Sequence, residues 1–492
     1  DLGLSTGGPF ISVLNEKEAQ ELDLHALDRI KIRHKNKEIV TVVDIATHVR
    51  GISKNYIGLF EEPFNALSLK NSDEVEVSLE KKPLSIDYIR KKLDKKELSR
   101  QEIDQIIKDL IANKLTEIEL TYFISACYIN GLNDNETYYL TKSIVENGEK
   151  LKLNKKIIVD KHCIGGIPSN RTTLIIAPIV AAAGITIPKT SSRSITSPAG
   201  TADTFEALAK VEFPVEKINS IVRKTNGCII WTGSYYNKNL AGADDLLIKL
   251  RHPLSLDPEG MLLASILAKK AAVNSTHVLI DIPVGKYTKI NSRKKALHLK
   301  KKFQMLGKRL NMKIKVIITN GSQPIGNGIG PNLEARDILY ILTRNNLAPK
   351  DLEEKSVYMA SLILEMAGKK HSLEAAKEIL YSGKAYKKMK EIIRAQKGNP
   401  NIKPNDLSVG KFRFSLKAKK SGVVKSINNE LISKIARAAG SPIDKEAGIY
   451  LNVHIGHDVI TDDILLTVYA KNPKKLLFAK SILQKTSIID IK

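Results

Sequence analysis

Residues 157–184 have the sequence IIVDKHCIGGIPSNRTTLIIAPIVAAAG, and this stretch decides the fold. Its apolar start at Ile157 predicts a buried strand, its glycine-containing middle predicts a turn, and the apolar run from Thr172 predicts a helix. Later segments repeat this alternation, with strands predicted at 228–231, 277–283 and 313–319 and a helix at 259–273. Strands that alternate with helices in this way are typical of a mainly parallel sheet covered by helices.

The regions on either side of this α/β segment have other patterns. Apolar and polar residues alternate at period two in 30–33 and 75–79, which predicts a small β-rich, barrel-like domain at the N-terminus. Capped helices follow and predict a helical bundle, with the capping patterns Ser99-x-x-Glu102, Thr116-x-x-Glu119 and Asn133-x-x-Glu136. Mixed strands and helices from about residue 411 predict a C-terminal α+β domain. We therefore expect a multidomain α/β protein with domains at 1–82, 83–152 (joined by about 243–273), 153–335 and 336–492.

The formal net charge of +25 is the strongest compositional signal and favours anionic partners such as phosphates, nucleotides or nucleic acid. Many lysines are scattered over predicted helix surfaces and only 5% of residues are aromatic, so solvated faces are favoured over a nucleic-acid groove. The three cysteines show no C-x-x-C spacing, and no apolar run reaches the about 20 residues of a membrane helix. We expect a reducing, cytoplasmic location without membrane attachment.

The loop after the first strand, residues 160–173, has anion-binding chemistry. Gly165 and Gly166 let backbone amides approach an oxyanion just before a helix start, where partial positive charge accumulates. Four side chains supply further donors: Lys161, Arg171, Thr172 and Thr173. Ligands of open α/β sheets gather beyond the carboxyl ends of strands, so the sequence predicts a phosphate site here. A tight turn without a ligand is the simpler alternative.

A second loop of this kind covers residues 189–201, with the sequence KTSSRSITSPAGT. Its hydroxyl side chains, its arginine and the helix that follows describe another anion pocket. Serine-rich and threonine-rich loops are also common as caps and turns. Two such loops on neighbouring strand ends therefore carry more weight than either one alone.

Several motifs in this order resemble the thymidine and pyrimidine-nucleoside phosphorylase family. They are Asp160-Lys161-His162 with Gly165-Gly166, Ser191-Ser192-Arg193, Gly200-Thr201-Ala202-Asp203, Arg251, the stretch ASILAKK at 264–270, and Gly422-Val423-Val424. The resemblance covers about residues 84–492. Within the family the chain most resembles the archaeal branch that cleaves AMP, which also carries an extra N-terminal domain. Cys163-Ile164 and Ser197 depart from the pattern of the pyrimidine enzymes, which argues against thymidine specificity.

The resemblance implies a glycosyltransferase that cleaves nucleoside 5′-monophosphates by phosphorolysis. AMP is the expected substrate, with CMP and UMP as further substrates, and the products are free base and ribose 1,5-bisphosphate. Inorganic phosphate is the co-substrate, and we expect no cofactor and no metal, because no metal-ligand spacing occurs in the sequence. The expected assembly is a homodimer or a larger homo-oligomer.

The resemblance also implies roles for individual residues. Asp257 matches the proton donor to the leaving base. Residues that match phosphate ligands are Lys161, Thr173 and Thr201. Residues that match nucleotide-binding positions are Gly166, Ser192, Arg193, Ser194, Ile195, Thr196, Ser197, Thr201, Ser265 and Lys289. Candidate base contacts are His162, Arg251 and Lys269.

The residues alone leave simpler interpretations open. Asp257 lies directly before a predicted helix and could be its N-cap. Lys289 could be a surface lysine, His162 a core or turn histidine, and Arg251 the partner of an acid. Three other functions also stay open: a thymidine or uridine phosphorylase, a phosphoribosyltransferase, and a nucleic-acid-binding protein suggested by the charge.

Overall fold

The computed structural model describes residues 1–47, 52–194, 197–233, 240–251, 253–254 and 256–492. The chain divides into two compact units. Unit 1 contains Asp1–Glu149 and Gly233–Ala268, and unit 2 contains Lys150–Thr232 and Lys269–Lys492. The chain therefore leaves unit 1, returns to it, and leaves it again. In the described part of the chain, no helix is both long and apolar enough to cross a membrane.

The N-terminal part of unit 1 is β-rich, as predicted. Its elements are β1 (Ile11–Asn15), α1 (Glu16–Glu21), β2 (Arg29–His34), β3 (Lys37–Ala46), β4 (Gly58–Leu59), α2 (Glu61–Leu67) and β5 (Glu76–Leu79). The strand order is β4-β1-β3-β2-β5, and β1 runs parallel to β3. The described residues thus form an open sheet with two ends, where the sequence predicted a barrel-like one. All four residues of β5 are exposed, and β5 is an edge strand of the sheet that the described residues form.

The rest of unit 1 is helical. Its helices are α3 (Ser85–Leu93), α4 (Arg100–Ile111), α5 (Glu117–Asn130), α6 (Asp134–Glu146), α10 (Gly242–Arg251) and the first part of α11 (Glu259–Ala272). The three predicted capping boxes, which start at Ser99, Thr116 and Asn133, are all present. Each box satisfies two backbone amides that the first turn of a helix leaves without a partner. The helical bundle is therefore confirmed.

Unit 2 begins with an α/β domain. Its elements are β6 (Val159–Cys163), α7 (Thr172–Ala182), β7 (Ile187–Ser191), α8 (Thr201–Phe205), α9 (Val215–Thr225), β8 (Gly227–Trp231), β9 (His277–Val284), α12 (Arg293–Arg309), β10 (Lys313–Asn320), β11 (Gly328–Ile329) and α13 (Pro331–Leu342). Strands β10, β9 and β6 form one parallel sheet in that order, and β7 pairs in parallel with β8. A single parallel bridge between Ile158 and Thr186 joins the two sheets.

The connections of this domain leave the central strand in opposite directions. The chain runs from β6 outward to β7 and β8 on one side, and β9 and β10 lie on the other side of β6. Open α/β sheets bind ligands where the strand order reverses in this way, beyond the carboxyl ends of the strands. The loops after β6, β7 and β9 lie at that edge. The apolar helix α7 packs in the core behind them, together with the following helices.

The remainder of unit 2 contains a helical connection and a C-terminal α+β domain. The connecting helices are α14 (Lys350–Met366), α15 (Ser372–Tyr381) and α16 (Lys384–Ala395), followed by a 3₁₀ turn at Pro404–Asp406. The C-terminal elements are β12 (Phe412–Lys417), β13 (Gly422–Ile427), α17 (Asn429–Ala439), β14 (Gly448–Leu451), β15 (Asp458–Val459), β16 (Ile464–Ala470), α18 (Pro473–Lys485) and β17 (Ile489–Ile491). Strand β11 pairs with β14, which ties the loop before α13 to this domain.

Gln396, just after α16, completes the outer edge of β8. Its side-chain oxygen accepts from the Ile229 amide at 2.9 Å, and its amide nitrogen donates to the carbonyls of Ile229 and Lys210, each at 2.7 Å. Gln396 and Ile229 are both fully buried. The side chain of Gln396 therefore takes the place of a neighbouring strand, because it bonds to both the N–H and the C=O group of Ile229.

Gln396→Leu should lower the free energy of unfolding by about 3 kcal/mol, because it removes the partner of two buried backbone groups of Ile229 and of the partly buried Lys210 carbonyl. Urea denaturation followed by the fluorescence of Trp231, the single tryptophan and the last residue of β8, measures the loss. The exposed Gln101→Leu is the matched control and should change stability by less than about 0.5 kcal/mol. Equal stability of the two variants would contradict this role for Gln396.

Candidate active site

Lys161 lies in β6 with its side chain buried, only 1% exposed. Its ammonium group donates to the hydroxyl of Thr172 at 2.7 Å, in the first turn of α7. No carboxylate of the described residues lies within 4 Å of this ammonium group. Burial lowers the pKa of Lys161, since a charge is costly to hold away from water. An anion that enters here would restore the favourable environment that the ammonium group lost on burial.

Three more lysines are buried close by: Lys189 of β7, and Lys269 and Lys270 of α11. Burial, and then the charge of Lys270, lowers the pKa of Lys269 to about 7. Burial also lowers the pKa of Lys189 well below its ordinary value. The charges of these lysines add to the effect of burial on His162, whose pKa falls well below the ordinary value and leaves a neutral ring. Burial and the repulsion between neighbouring ammonium groups thus act together on the basic residues at this edge of unit 2.

The turn after β6 depends on glycine. Gly165 and Gly166 have φ angles of +97° and +91°, and a Cβ on Gly166 would lie 2.6 Å from the backbone nitrogen of Lys289. Glycine is the residue that adopts this conformation without strain and permits so close an approach. The turn after β6 thus packs directly on the turn after β9, which brings the predicted site residues Gly166 and Lys289 together. The side chain of Lys289 is exposed.

The second loop is held by one carboxylate. Asp203 accepts hydrogen bonds from the backbone amides of Ser194 and Gly200, at 2.7 and 2.8 Å. A Cβ on Gly200 would come within 2.9 Å of the backbone of Ser192 and Ser194, so the loop packs tightly on its own end. Thr201 then begins α8. Asp203 therefore holds the described parts of the loop on both sides of residues 195–196.

The side chain of Arg193 mainly contacts other protein groups. Its guanidinium bonds to Glu206 at 2.7 Å, lies 3.3 Å from Asp203, and stacks over the ring of Trp231 at 4.7 Å. The bond to Glu206 is the main reason that the pKa of Arg193 is raised. Its neighbours Ser192, Ser194 and Ser197 are partly exposed. The Ser197 hydroxyl donates to the Ala199 carbonyl at 2.9 Å and the Ser194 hydroxyl donates to the Ser197 carbonyl, so these hydroxyl groups also stabilise the loop. Ile195 and Thr196 lie outside the described residues.

Arg171, which the sequence suggested as a phosphate donor, connects the two loops instead. Its Nε donates to Glu334 at 2.8 Å, and its Nη2 donates to the carbonyl of Ala199 in the second loop. Glu334 is fully buried and also accepts from the hydroxyl of Thr204 in α8. Burial raises the pKa of Glu334, while Arg171 and Thr204 oppose that rise. Two of the guanidinium nitrogens, Nε and Nη2, are thus committed to protein acceptors, so the main contacts of Arg171 in this structure connect the two loops.

The other predicted site residues belong to unit 1. Asp257 has a 38% exposed side chain and lies 3.9 Å from the guanidinium of buried Arg251. It precedes α11 by two residues, so it does not occupy the N-cap position. Ser265 of α11 donates to Asp244 of α10 at 2.7 Å, and Asp244 also lies 3.9 Å from Arg251. Asp244 thus links two predicted contacts, Arg251 and Ser265.

The sequence analysis gave no individual role to several charged residues of these sites, although three of them lie in the motifs and loops that it quoted. They are Asp160, Lys189, Asp244, Lys270 and Glu334. A signal was available for Asp160 and Lys189, since each is a charged residue inside an otherwise buried strand and such charges need partners. Asp203 was detectable too, because Gly200-x-x-Asp203 has the capping-box spacing.

The class of the protein follows from three family models that match in order along the chain. They are described as the glycosyl transferase family helical bundle domain (residues 86–148), the glycosyl transferase family a/b domain (residues 155–386) and the pyrimidine nucleoside phosphorylase C-terminal domain (residues 423–490). Anthranilate phosphoribosyltransferase from Thermus thermophilus shares the fold, with a TM-score of 0.53 and 17% identity over 63% of this chain and 100% of that one. The chain is therefore an enzyme of the pentosyltransferase class.

Similar sequences define the family more narrowly. The AMP phosphorylase of Thermofilum pendens is 41% identical over 96% of this chain and 91% of the relative. The AMP phosphorylase of Thermococcus kodakarensis is 42% identical over 98% and 95%, and that of Pyrococcus furiosus is 43% identical over 96% and 93%. The chain belongs to the AMP phosphorylase family.

Glu334→Ala should lower the free energy of unfolding by about 3 kcal/mol, because it leaves the largely buried Arg171 without its carboxylate partner. Urea denaturation followed by Trp231 fluorescence is the measurement. The control is Glu374→Ala at an exposed position of α15, which should stay within about 0.5 kcal/mol of the wild type. A wild-type unfolding midpoint for Glu334→Ala would show that the two loops do not depend on this pair.

Proposed function

We propose that this protein cleaves AMP by phosphorolysis, with CMP and UMP as further substrates. Inorganic phosphate forms a bond to C1′ of the ribose 5-phosphate, the bond from C1′ to the base breaks, and the base leaves with a proton. The products are free base and ribose 1,5-bisphosphate. The names of the relatives support the reaction, and the observation that carries it is the buried ammonium group of Lys161 with no carboxylate within 4 Å in the described residues.

The two loops of unit 2 suit the two anionic groups of this reaction. We assign inorganic phosphate to Lys161, Thr173 and Thr201, since a buried cation and the amides at a helix start bind an oxyanion well. We assign the 5′-phosphate to Gly166, Lys289 and residues 192–197. Arg193 contributes mainly by holding that loop through Glu206 and Trp231. Both anions are thereby oriented before the reaction, which removes entropy from the barrier.

The leaving base needs a proton. We assign its donor to Asp257, whose side chain is exposed enough to reach a ligand, and further nucleotide contacts to Ser265 and Arg251. Lys269 and His162 are assigned to the base as well, and the neutral ring of His162 can either donate or accept a hydrogen bond. Phosphate and nucleotide are the small molecules that this chemistry requires, and we propose that no metal or other cofactor takes part.

The test is the release of free base from AMP, CMP, UMP and the corresponding nucleosides, each with and without inorganic phosphate. We expect phosphate-dependent release from the monophosphates only, with a matching yield of ribose 1,5-bisphosphate and no effect of EDTA. Phosphate-dependent release from uridine or thymidine instead would make the protein a pyrimidine-nucleoside phosphorylase. Salt-sensitive binding of RNA without any base release would favour a nucleic-acid-binding protein.

Asp257→Asn should lower kcat for AMP by about 100-fold or more, because a carboxamide cannot give the base a proton. The matched control in the same unit is Asp87→Asn, whose carboxylate is 65% exposed and pairs with Arg90 on the surface. The control should keep the wild-type kcat. A wild-type kcat for Asp257→Asn would remove this residue from the proton-donor role.

A further inference from the structure

The strands β6 and β7 separate at the phosphate-binding residue Lys161, and side chains fill the gap. Their last shared bond runs from the Val159 amide to the Thr186 carbonyl, at 2.9 Å. Beyond it, the Lys161 amide donates to the side chain of Asp160 at 2.7 Å. The Lys161 carbonyl accepts from the ammonium group of Lys189 of β7, also at 2.7 Å. Both backbone groups of Lys161 are thus held by side chains.

Asp160 is in turn held by a second lysine. Its other carboxylate oxygen accepts from Lys270 at 2.6 Å, and both residues are fully buried. Lys270 also donates to the hydroxyl of Thr190 in β7, at 3.2 Å. The ammonium group of Lys189 lies 3.7 Å from the same carboxylate. One carboxylate therefore serves two lysines and one backbone amide.

This arrangement divides the buried lysines into two kinds. The charges of Lys189 and Lys270 are directed at Asp160, whereas the ammonium group of Lys161 has the neutral Thr172 hydroxyl as its hydrogen-bond partner. Lys270 is bonded to Asp160 and Lys189 lies near it, so this carboxylate stabilises the charged forms of these two lysines. It does not face the Lys161 ammonium group, which is therefore left to pair with an incoming anion.

We propose that Asp160 and Lys270 are positioning residues of the phosphate site, and that their ion pair holds Lys161 in the orientation that binds inorganic phosphate. This inference rests on the proposed phosphorolysis and names residues of the same site that do not touch the substrate. The pair replaces strand pairing where β6 and β7 part, and it neutralises the charge that would otherwise compete with Lys161 for phosphate. Thr190 supports the pair from β7.

The main test uses the double variant Asp160→Asn/Lys270→Met. Removing both partners avoids the unpaired buried charge that makes single removals of buried pairs strongly destabilising. The carboxamide oxygen introduced at position 160 can still accept from the Lys161 amide, while the ion pair is lost. We expect the KM for phosphate to rise on the order of 10- to 100-fold, because a displacement of about 1 Å in a reactive site costs that much. The KM for AMP should change by less than about 3-fold.

A matched control removes another ion pair with a buried partner that lies far from this site in the chain. Arg29 and Glu119 of unit 1 form such a pair, with the arginine side chain 3% exposed. Arg29→Met/Glu119→Gln should keep the wild-type KM for phosphate. Circular dichroism and Trp231 fluorescence confirm that each variant is folded. A folded Asp160→Asn/Lys270→Met variant with a wild-type KM for phosphate would overturn the proposal.

Thr190→Val provides a milder second variant if the double variant does not fold. It removes the hydrogen bond from Lys270 and the weak one, at 3.3 Å, that Thr190 donates to the Lys269 carbonyl. We expect the KM for phosphate to rise about 2- to 10-fold. An unchanged KM for phosphate in Thr190→Val would count against the proposal.

Calorimetric titration with inorganic phosphate separates this proposal from the proposed reaction, because it needs no turnover. We expect the wild type to bind phosphate more tightly than the double variant or Thr190→Val. Weaker phosphate binding in these variants supports the positioning role even if the wild type releases no base from AMP, in which case the proposed function alone fails. Equal phosphate affinity in a wild type that does cleave AMP and in its variants overturns the positioning role alone.

Discussion

The burial of several lysine ammonium groups at the carboxyl ends of β6 and β7 is the constraint on which the rest of the candidate site depends. A charge that leaves water must find a partner, or its pKa moves until the charge is lost. Here Asp160 is the bonded carboxylate partner of Lys270 and lies near Lys189, while Lys161 has a neutral hydroxyl partner. Among the described residues no carboxylate lies within 4 Å of the Lys161 ammonium group, so a bound anion would stabilise its charged form.

The loops around this charge are shaped by groups that do not face the ligand. Asp203 holds the second loop through two backbone amides. Arg171 connects that loop to the turn after β6, and Glu334 neutralises the charge of Arg171. Gly166 lets the turn after β6 pack against the turn that carries Lys289. Three loops from three strand ends are thus held together by a few buried contacts. A site that binds both inorganic phosphate and the 5′-phosphate of a nucleotide needs such a framework. The distance between the two phosphates must be set before the reaction.

Much of the fold could be predicted from local patterns. The strands near Cys228, His277 and Lys313, the capped helices of the bundle and the positions of the two anion loops all follow from signals within about ten residues. The prediction of a barrel-like N-terminal domain was wrong, because period-two alternation predicts strands but not how the two edges of a sheet are arranged. Strand pairing is a long-range property: β1 pairs in parallel with β3, although β2 lies between them in the chain.

The charged partners of the site could not be predicted, for the same reason. Asp160 and Lys270 are 110 residues apart in the chain, and Arg171 and Glu334 are 163 residues apart. The sequence shows that a buried charge needs a partner but does not say which one. Arg171 was therefore interpreted as a phosphate donor, although its Nε and Nη2 donate to Glu334 and to the Ala199 carbonyl. Local motifs indicated the position of the candidate site, and the fold determined which of its cations have protein acceptors as partners.

The most direct measurement is a crystal structure of the protein grown with inorganic phosphate and AMP. We predict a phosphate ion with an oxygen about 2.7–3.0 Å from the ammonium group of Lys161, with the Asp160–Lys270 pair intact. The AMP 5′-phosphate should lie at the second loop. If the Lys161 ammonium group instead pairs with a protein carboxylate and phosphate binds only elsewhere, the assignment of inorganic phosphate to Lys161 is wrong.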